Sequence, residues 1–246
     1  MSSTSPISKS HTGARFEATE WTVVLGAAAD SGESALAAME RLCRIYWPAV
    51  YAFIRRQGHA PHDAQDFAQD FFARLVEKQS LQHVDRDKGR FRSFLVASLR
   101  NFLANARDHA QAAKRGGGMN VVSIEAEQAE RGYFDVAGSR DATPEQSFDR
   151  QWALTVLDRA MKRLEQEQAA AGKSSQFSRL REFLSNAAEE GYDRAATDLG
   201  LKAGTVSVAV YRLRQRYRDL VRAEVAQTLA AGDDVDAELA YLLGVL

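Results

Sequence analysis

Cysteine is almost absent from this chain of 246 residues, since Cys43 is the only one. A single thiol excludes a disulfide scaffold and any zinc site built on a cysteine cluster. Proline and glycine are scarce, at 4 and 16 residues, which excludes collagen-like and proline-rich classes. No apolar run is long enough to cross a bilayer, and residues 1–14 contain no apolar block typical of a secretory signal. We therefore expect a cytoplasmic protein with no membrane partner.

An excess of charge of one sign is missing too. The 32 basic and 33 acidic residues give a net charge of −1 at pH 7 and a sequence pI of about 6.5. This balance argues against indiscriminate coating of nucleic acid, but it says nothing about local basic patches. Hydrophobic residues make up 45% of the chain, as in ordinary globular proteins.

Sustained alternation of apolar and polar residues, the pattern of half-buried strands, is also lacking. Only residues 120–124 are a candidate strand. Apolar residues instead recur at intervals of three and four, which predicts an all-α fold of two helical modules joined by an acidic linker. The expected segments are a disordered leader (1–18), a first module (19–116), the linker (117–148), a second module (149–226) and a C-terminal tail helix (227–246).

The same periodicity predicts the individual helices. We expect them over residues 33–57, 63–78, 92–114, 144–171, 180–190, 193–199 and 205–226. Pro48 is expected to kink or break the first of them. Thr143 and Pro144 have the order of a helix cap followed by a proline in the first turn. Residues 173–178 are predicted to form a loop.

The clearest motif lies near the C-terminal end, where the spacing is that of a helix-turn-helix. This motif needs a small residue where its helices cross, a glycine for the left-handed turn and an apolar anchor in the second helix. Ala196, Gly200 and Val206 meet these requirements. The face of the second helix expected to pack inward contains Val206, Val210, Leu213 and Tyr217. The residues expected to contact DNA are Lys202, Thr205, Ser207, Val208, Tyr211, Arg212, Arg214, Gln215 and Arg216.

Basic residues dominate the second helix of this motif. Five arginines and one acidic residue, Asp219, lie within residues 212–222. This density suits phosphate contacts, which position a helix on DNA without reading its sequence. The alternative is a helical hairpin with a solvated basic face. We favour DNA binding because the turn spacing and the charge coincide.

Three carboxylates share one face of the predicted helix over 63–78. Asp63 and Asp66 suit the positive end of the helix dipole. Asp70 lies four residues after Asp66, and like charges at that spacing cost roughly 0.2–0.5 kcal/mol on an isolated helix. A basic partner surface would explain why Asp70 is present.

The next predicted helix is basic and carries phenylalanines among its basic residues. Basic residues beside aromatic rings suit single-stranded nucleic acid, because bases stack on the rings. The alternative is that the rings are core residues at helical spacing, which we favour for Phe94 and Phe102.

Together these segments resemble an extracytoplasmic-function sigma factor, a minimal member of the sigma-70 family of bacterial RNA polymerase. Residues 63–75 (DAQDFAQDFFARL) resemble the helix of region two that binds the polymerase. Residues 89–101 (GRFRSFLVASLRN) resemble the stretch that melts the promoter and reads its minus-ten element. The helix-turn-helix resembles region four, which reads the minus-thirty-five element.

The resemblance implies a non-enzymatic protein whose partners are core RNA polymerase and promoter DNA. It implies that the polymerase is bound by Asp63, Asp66 and Asp70. The residues that it implies for minus-ten recognition and melting are Arg90, Phe91, Arg92, Arg100, Asn101, Arg107, Lys114 and Arg115. The added helix over 144–171 and the tail indicate an extended subgroup member, whose candidate regulators are an anti-sigma protein and a Ser/Thr kinase.

Two other functions stay open. A helix-turn-helix transcriptional regulator outside the polymerase would need a sensor module in the first half, where no receiver or pocket pattern occurs. A polymerase-binding adaptor that never contacts the promoter is compatible with Ser207 and Ala209, which stand where the family usually has Lys and Arg. We find no catalytic constellation, and the scattered histidines lead us to expect no metal and no cofactor.

The tail combines acidic residues with an apolar stripe. Asp233 is expected to cap a last helix, and the stripe consists of Leu239, Leu242, Leu243 and Leu246. So short a helix is marginal alone in water and must dock. It packs either on the helix-turn-helix with no regulatory role, which is the simpler interpretation, or against basic residues in an autoinhibitory contact.

Overall fold

A computed structural model describes residues 33–77, 91–112, 142–185, 191–229 and 233–246. Within these ranges the protein is all-α, as predicted. The helices are α1 (Glu33–Arg56), α2 (Pro61–Glu77), α3 (Phe91–Ala112), α4 (Pro144–Ala170), α5 (Ser174–Leu180), α6 (Glu182–Ser185), α7 (Tyr192–Leu199), α8 (Ala203–Ala226) and α9 (Val235–Gly244). The leader, the candidate strand over 120–124 and most of the acidic linker lie outside the described residues.

Helix α1 continues through Pro48 instead of breaking there. Proline removes one backbone hydrogen bond from a helix, but residues 49–54, which follow it, are all buried. We infer that this packing outweighs the lost bond. Gly58 follows the helix in the left-handed conformation, with φ of 92°, as glycines commonly do after a helix ends.

Helix α4 begins as the sequence predicts. Thr143 accepts a hydrogen bond from the backbone N–H of Gln146, and the Gln146 side chain accepts one from the N–H of Thr143. This reciprocal pair is a capping box, and Pro144 occupies the first helical position without loss of a needed donor.

The first half of α4 packs into the first module. Trp152 stacks on Tyr46 of α1 with ring centroids 4.6 Å apart, and Phe148 lies 6.5 Å from the same ring. Phe91 of α3 meets Tyr46 edge-on at 5.1 Å. Aromatic pairs in these geometries stabilise a core beyond their burial.

The second half of α4 packs on the second module. The hydroxyl of Tyr217 in α8 donates to the carbonyl of Leu157 at 3.1 Å. Arg159 pairs with the buried Glu224 of α8 at 2.8 Å. The buried residues of both modules consequently form one contiguous cluster that passes through α4.

The predicted loop over 173–178 is wrong. Ser174–Leu180 is helix α5, and it begins with a bond from the N–H of Phe177 to the carbonyl of Lys173. Two serines at its start resemble a loop in sequence, but Phe177 and Leu180 lie buried one turn apart and hold the helix in place. The helix predicted over 180–190 is represented only by the short α6, and residues 186–190 lie outside the described ranges.

The tail forms a helix, and two details of its prediction are wrong. Asp234, not Asp233, caps α9 and accepts hydrogen bonds from the N–H groups of Asp236 and Ala237. The leucine stripe is only partly buried, since Leu242 is in the core but Leu243 is 52% exposed. The inward face instead carries Glu238 and Leu242, which are four residues apart on one side of the helix.

Candidate nucleic-acid interface

Helices α7 and α8 form the predicted helix-turn-helix. Gly200 has φ of 63°, a left-handed conformation that favours glycine. The turn is closed by a bond from the N–H of Leu201 to the carbonyl of Ala196 at 2.8 Å. Ala195 and Ala196 are buried where the helices meet, opposite the buried Val206 and Val210 of α8.

The opposite face of α8 is open to solvent, as expected. Tyr211 is 63% exposed, and Val208 is a second large apolar side chain on the same surface. Gln215 is half-buried. The other exposed residues predicted to contact DNA are Lys202, Thr205, Ser207, Arg212 and Arg216. The contact of these exposed side chains with DNA stays a prediction.

Some arginines of α8 have partners inside the protein, and others are exposed without a described role in the fold. The sequence does not distinguish the two groups. Arg214 is half-buried and donates from Nε and Nη2 to the carbonyl of Phe183, at 3.1 and 2.8 Å. Arg216 forms a two-bond pair with Glu167 of α4, at 2.8 and 2.7 Å. Arg212 and Arg218 are exposed on the same helix. Arg214 therefore contributes to the fold, whereas Arg212 presents its charge to solvent.

The pair between Arg216 and Glu167 lies at the edge of this surface. The hydrogen bond from Arg216 lowers the pKa of Glu167, and attraction to Arg216 and Arg163 adds to the shift. Exposed ion pairs of this kind contribute only about 0–1 kcal/mol. The pair with Glu167 therefore holds Arg216 only weakly.

The three carboxylates of α2 lie on a surface that we call the acidic ridge, formed by Asp63, Asp66 and Asp70. All three are exposed. Asp66 lies 3.2 Å from Nδ1 of His62, a neighbour on the same helix. The other side of α2 is buried through Ala64, Ala68, Phe71, Phe72 and Leu75. The ridge is thus free of any packing role in the core.

Helix α3 presents only part of its predicted DNA surface. Arg100 and Asn101 are exposed, and Arg100 donates two hydrogen bonds to Oε1 of Glu145, at 2.9 and 2.6 Å. Phe91 is buried against Tyr46 and Phe94, so its ring is closed to a stacking base in this arrangement. Arg90, Lys114, Arg115 and the side chain of Arg107 lie outside the described residues.

Arg92 is the residue whose position differs most from expectation. It is buried, and its Nη1 lies 2.6 Å from Asp149 of α4. Its Nη2 lies 3.2 Å from Glu238 of α9, and its guanidinium stacks over the ring of Tyr241 at 4.5 Å. Burial lowers the pKa of Arg92, but attraction and hydrogen bonding to Asp149, with attraction to Glu238, outweigh it and raise the net value.

No sequence signal could have found this cluster, because its partners are 57 and 146 residues from Arg92 along the chain. In sequence, Arg92 is one more cation in a basic stretch. In the fold it joins three helices.

Among the described residues, no three or more His, Cys, Asp or Glu side chains are grouped so that they could hold a metal ion. No described helix is both long and apolar enough to cross a membrane.

Comparison with known proteins gives one match. Residues 42–113, less than a third of the chain, match the family model described as Sigma-70 region 2. No curated protein and no solved structure matches the chain. The matched segment contains the acidic ridge and α3, and it supports the sigma factor family for this chain. In the sigma-70 family, region 2 is associated with binding of core RNA polymerase.

Proposed function

We propose that this protein is a sigma factor of the extracytoplasmic-function type, which binds core RNA polymerase and directs it to promoters. The observation that carries the proposal is the acidic ridge of α2, exposed and within the segment that matches Sigma-70 region 2. The helix dipole accounts for Asp63 and Asp66, but it does not account for Asp70 on the same exposed face. A basic surface of the polymerase supplies the complementary charge.

The helix-turn-helix supports the second half of the proposal. Its geometry presents Tyr211, Val208 and Arg212 on one exposed face of α8. A second helix with this exposure is the element that enters the major groove in helix-turn-helix proteins. We propose that α8 reads duplex DNA upstream of the site that the first module opens.

Run-off transcription with purified core polymerase tests the proposal. Genomic fragments are transcribed with and without the chain, and we expect specific transcripts only when it is present. A polymerase-binding adaptor would bind the polymerase without supporting initiation. A regulator outside the holoenzyme would bind DNA without retaining the polymerase. Either result would overturn the proposal.

The acidic ridge is tested by reversing its charge. We expect Asp66→Lys with Asp70→Lys to abolish co-purification with core polymerase, because two attractions become repulsions. The fold should persist, since both side chains are exposed. The matched control is Asp158→Lys with Glu165→Lys, which reverses two exposed carboxylates of α4 and should leave binding intact. Equal retention of both variants by the polymerase would contradict the role of the ridge.

A further inference from the structure

Four side chains join the tail to the start of α3, and we call them the clasp: Arg92, Asp149, Glu238 and Tyr241. Arg92 forms ion pairs with Asp149 at 2.6 Å and with Glu238 at 3.2 Å. The hydroxyl of Tyr241 donates to the second oxygen of Asp149 at 2.6 Å. The clasp thus connects α3, α4 and α9, three elements that are far apart in sequence.

The clasp lies largely out of solvent. Arg92 and Asp149 are buried, and Glu238 is only 2% exposed. Buried charges are tolerated when each has a hydrogen-bonded partner, and each becomes costly when its partner leaves. Arg92 therefore cannot turn to solvent without leaving two buried carboxylates beside it.

A second set of contacts fixes α9 to α8. Arg222 of α8 pairs with Asp236, with Nη2 and Oδ2 2.9 Å apart. Leu242 is buried in a site that also contains Val221, Val225 and Val156. The tail therefore contacts the basic helix and the start of α3 at once.

We propose that α9 is an autoinhibitory segment, which when docked holds Arg92 away from promoter DNA and must release it before Arg92 can contact a phosphate or a base. This inference rests on the proposed function, because it gives Arg92 a ligand outside the chain. Docked α9 blocks access of DNA to Arg92, since Nη2 is held by Glu238 and the guanidinium lies over the ring of Tyr241.

Release of the tail would be all-or-none. Helix α9 has 10 residues, and helices shorter than about 12–15 residues are marginal alone in water. Once its contacts to Arg92 and Arg222 and the packing of Leu242 are all lost, the helix is marginal on its own. The apparent affinity for DNA is then reduced by the fraction of molecules in which the tail is docked.

The inference is tested with Glu238→Gln, which keeps the shape of the side chain and removes its charge. The matched control is Glu165→Gln, at an exposed position of α4. A hydrogen bond between charged groups is about twice as strong as a neutral one, so we expect docking to weaken by about threefold to tenfold. Hydrogen exchange of residues 235–244 should accelerate by that factor in the free protein.

The same variant should bind promoter DNA more tightly as holoenzyme. The probe is a promoter fragment identified by run-off transcription with the wild-type chain, and transcription at limiting concentrations of the chain should rise in parallel. Faster exchange with unchanged or weaker promoter binding would overturn autoinhibition and leave only a packing role. Unchanged exchange would also overturn it. Failure of the proposed function has a different sign: the wild-type chain would then never support initiation. Failure of autoinhibition alone would leave initiation by the wild-type chain intact.

A charge swap tests the docking of α9 on α8 without changing Glu238. Asp236→Lys and Arg222→Glu each break the exposed pair between α8 and α9, and the double variant restores it with reversed polarity. We expect faster exchange of residues 235–244 in both single variants and a return toward the wild-type rate in the double variant. Additive acceleration in the double variant would show that this pair does not hold the tail.

Discussion

Arg212 and Arg214 are neighbours in the basic run of α8, and the structure predicts opposite consequences of removing them. Arg214 donates two hydrogen bonds to the carbonyl of Phe183 and is half-buried. Arg212 is exposed. We expect Arg214→Ala to lower stability without changing the salt dependence of DNA binding, and Arg212→Ala to do the reverse.

The magnitudes follow from these contacts. Loss of the charged donors of Arg214 leaves a partly buried carbonyl unpaired, which costs about 1–2 kcal/mol. For a chain of this size, that corresponds to a fall in Tm of about 2–8 °C. A surface substitution such as Arg212→Ala changes stability by less than about 0.5 kcal/mol. If Arg212 contacts a phosphate, its removal lowers the slope of log K against log salt by about 0.9.

The assay combines thermal unfolding with DNA binding over a range of salt concentrations. Arg214→Lys is the control that keeps the charge but loses the two-bond geometry, so it should be destabilised with an unchanged salt slope. The reasoning is refuted if Arg214→Ala melts like the wild type and loses a unit of salt slope. It is also refuted if Arg212→Ala alters neither quantity.

Three further predictions concern the fold. Trp152→Ala should destabilise the protein by about 3–5 kcal/mol in urea unfolding, since Trp152 is buried against Tyr46; a loss below about 1 kcal/mol would contradict the bridging role of α4. Thr143→Ala should cost about 1 kcal/mol through loss of the cap, with Thr143→Ser as the near-neutral control. The hydrogen bond from Arg216 lowers the pKa of Glu167 in the folded protein. The pair therefore contributes fully to stability at pH values above the unfolded pKa of 4.5, and this contribution disappears as pH falls through the folded pKa. Unfolding measured from pH 6 to pH 3 should show a shallower acid loss in Glu167→Gln than in the wild type.

Prediction from sequence succeeded where a feature depends on neighbouring residues. The cap at Thr143, the left-handed turn at Gly200 and the outward face of α8 are each encoded within a few positions. The exposure of the acidic ridge is predictable for the same reason, because the apolar residues of α2 define its buried side. The short helix α5 was missed because its serines favour a loop locally and its two buried residues act only through tertiary packing.

The sequence by itself determined that the described part of the chain is all-α, that it carries a helix-turn-helix and that the exposed carboxylates gather on α2 and the basic residues on α3 and α8. Tertiary structure alone decided which charges are paired inside the protein. In sequence, Arg92 is one cation in the basic stretch of α3, and Arg214 and Arg216 are two in that of α8. Their partners Glu238, the Phe183 carbonyl and Glu167 come from other helices. Ion pairing depends on distances of a few ångströms between side chains of different helices. Helical periodicity predicts only which face of its own helix a residue occupies, so it cannot predict which charges pair.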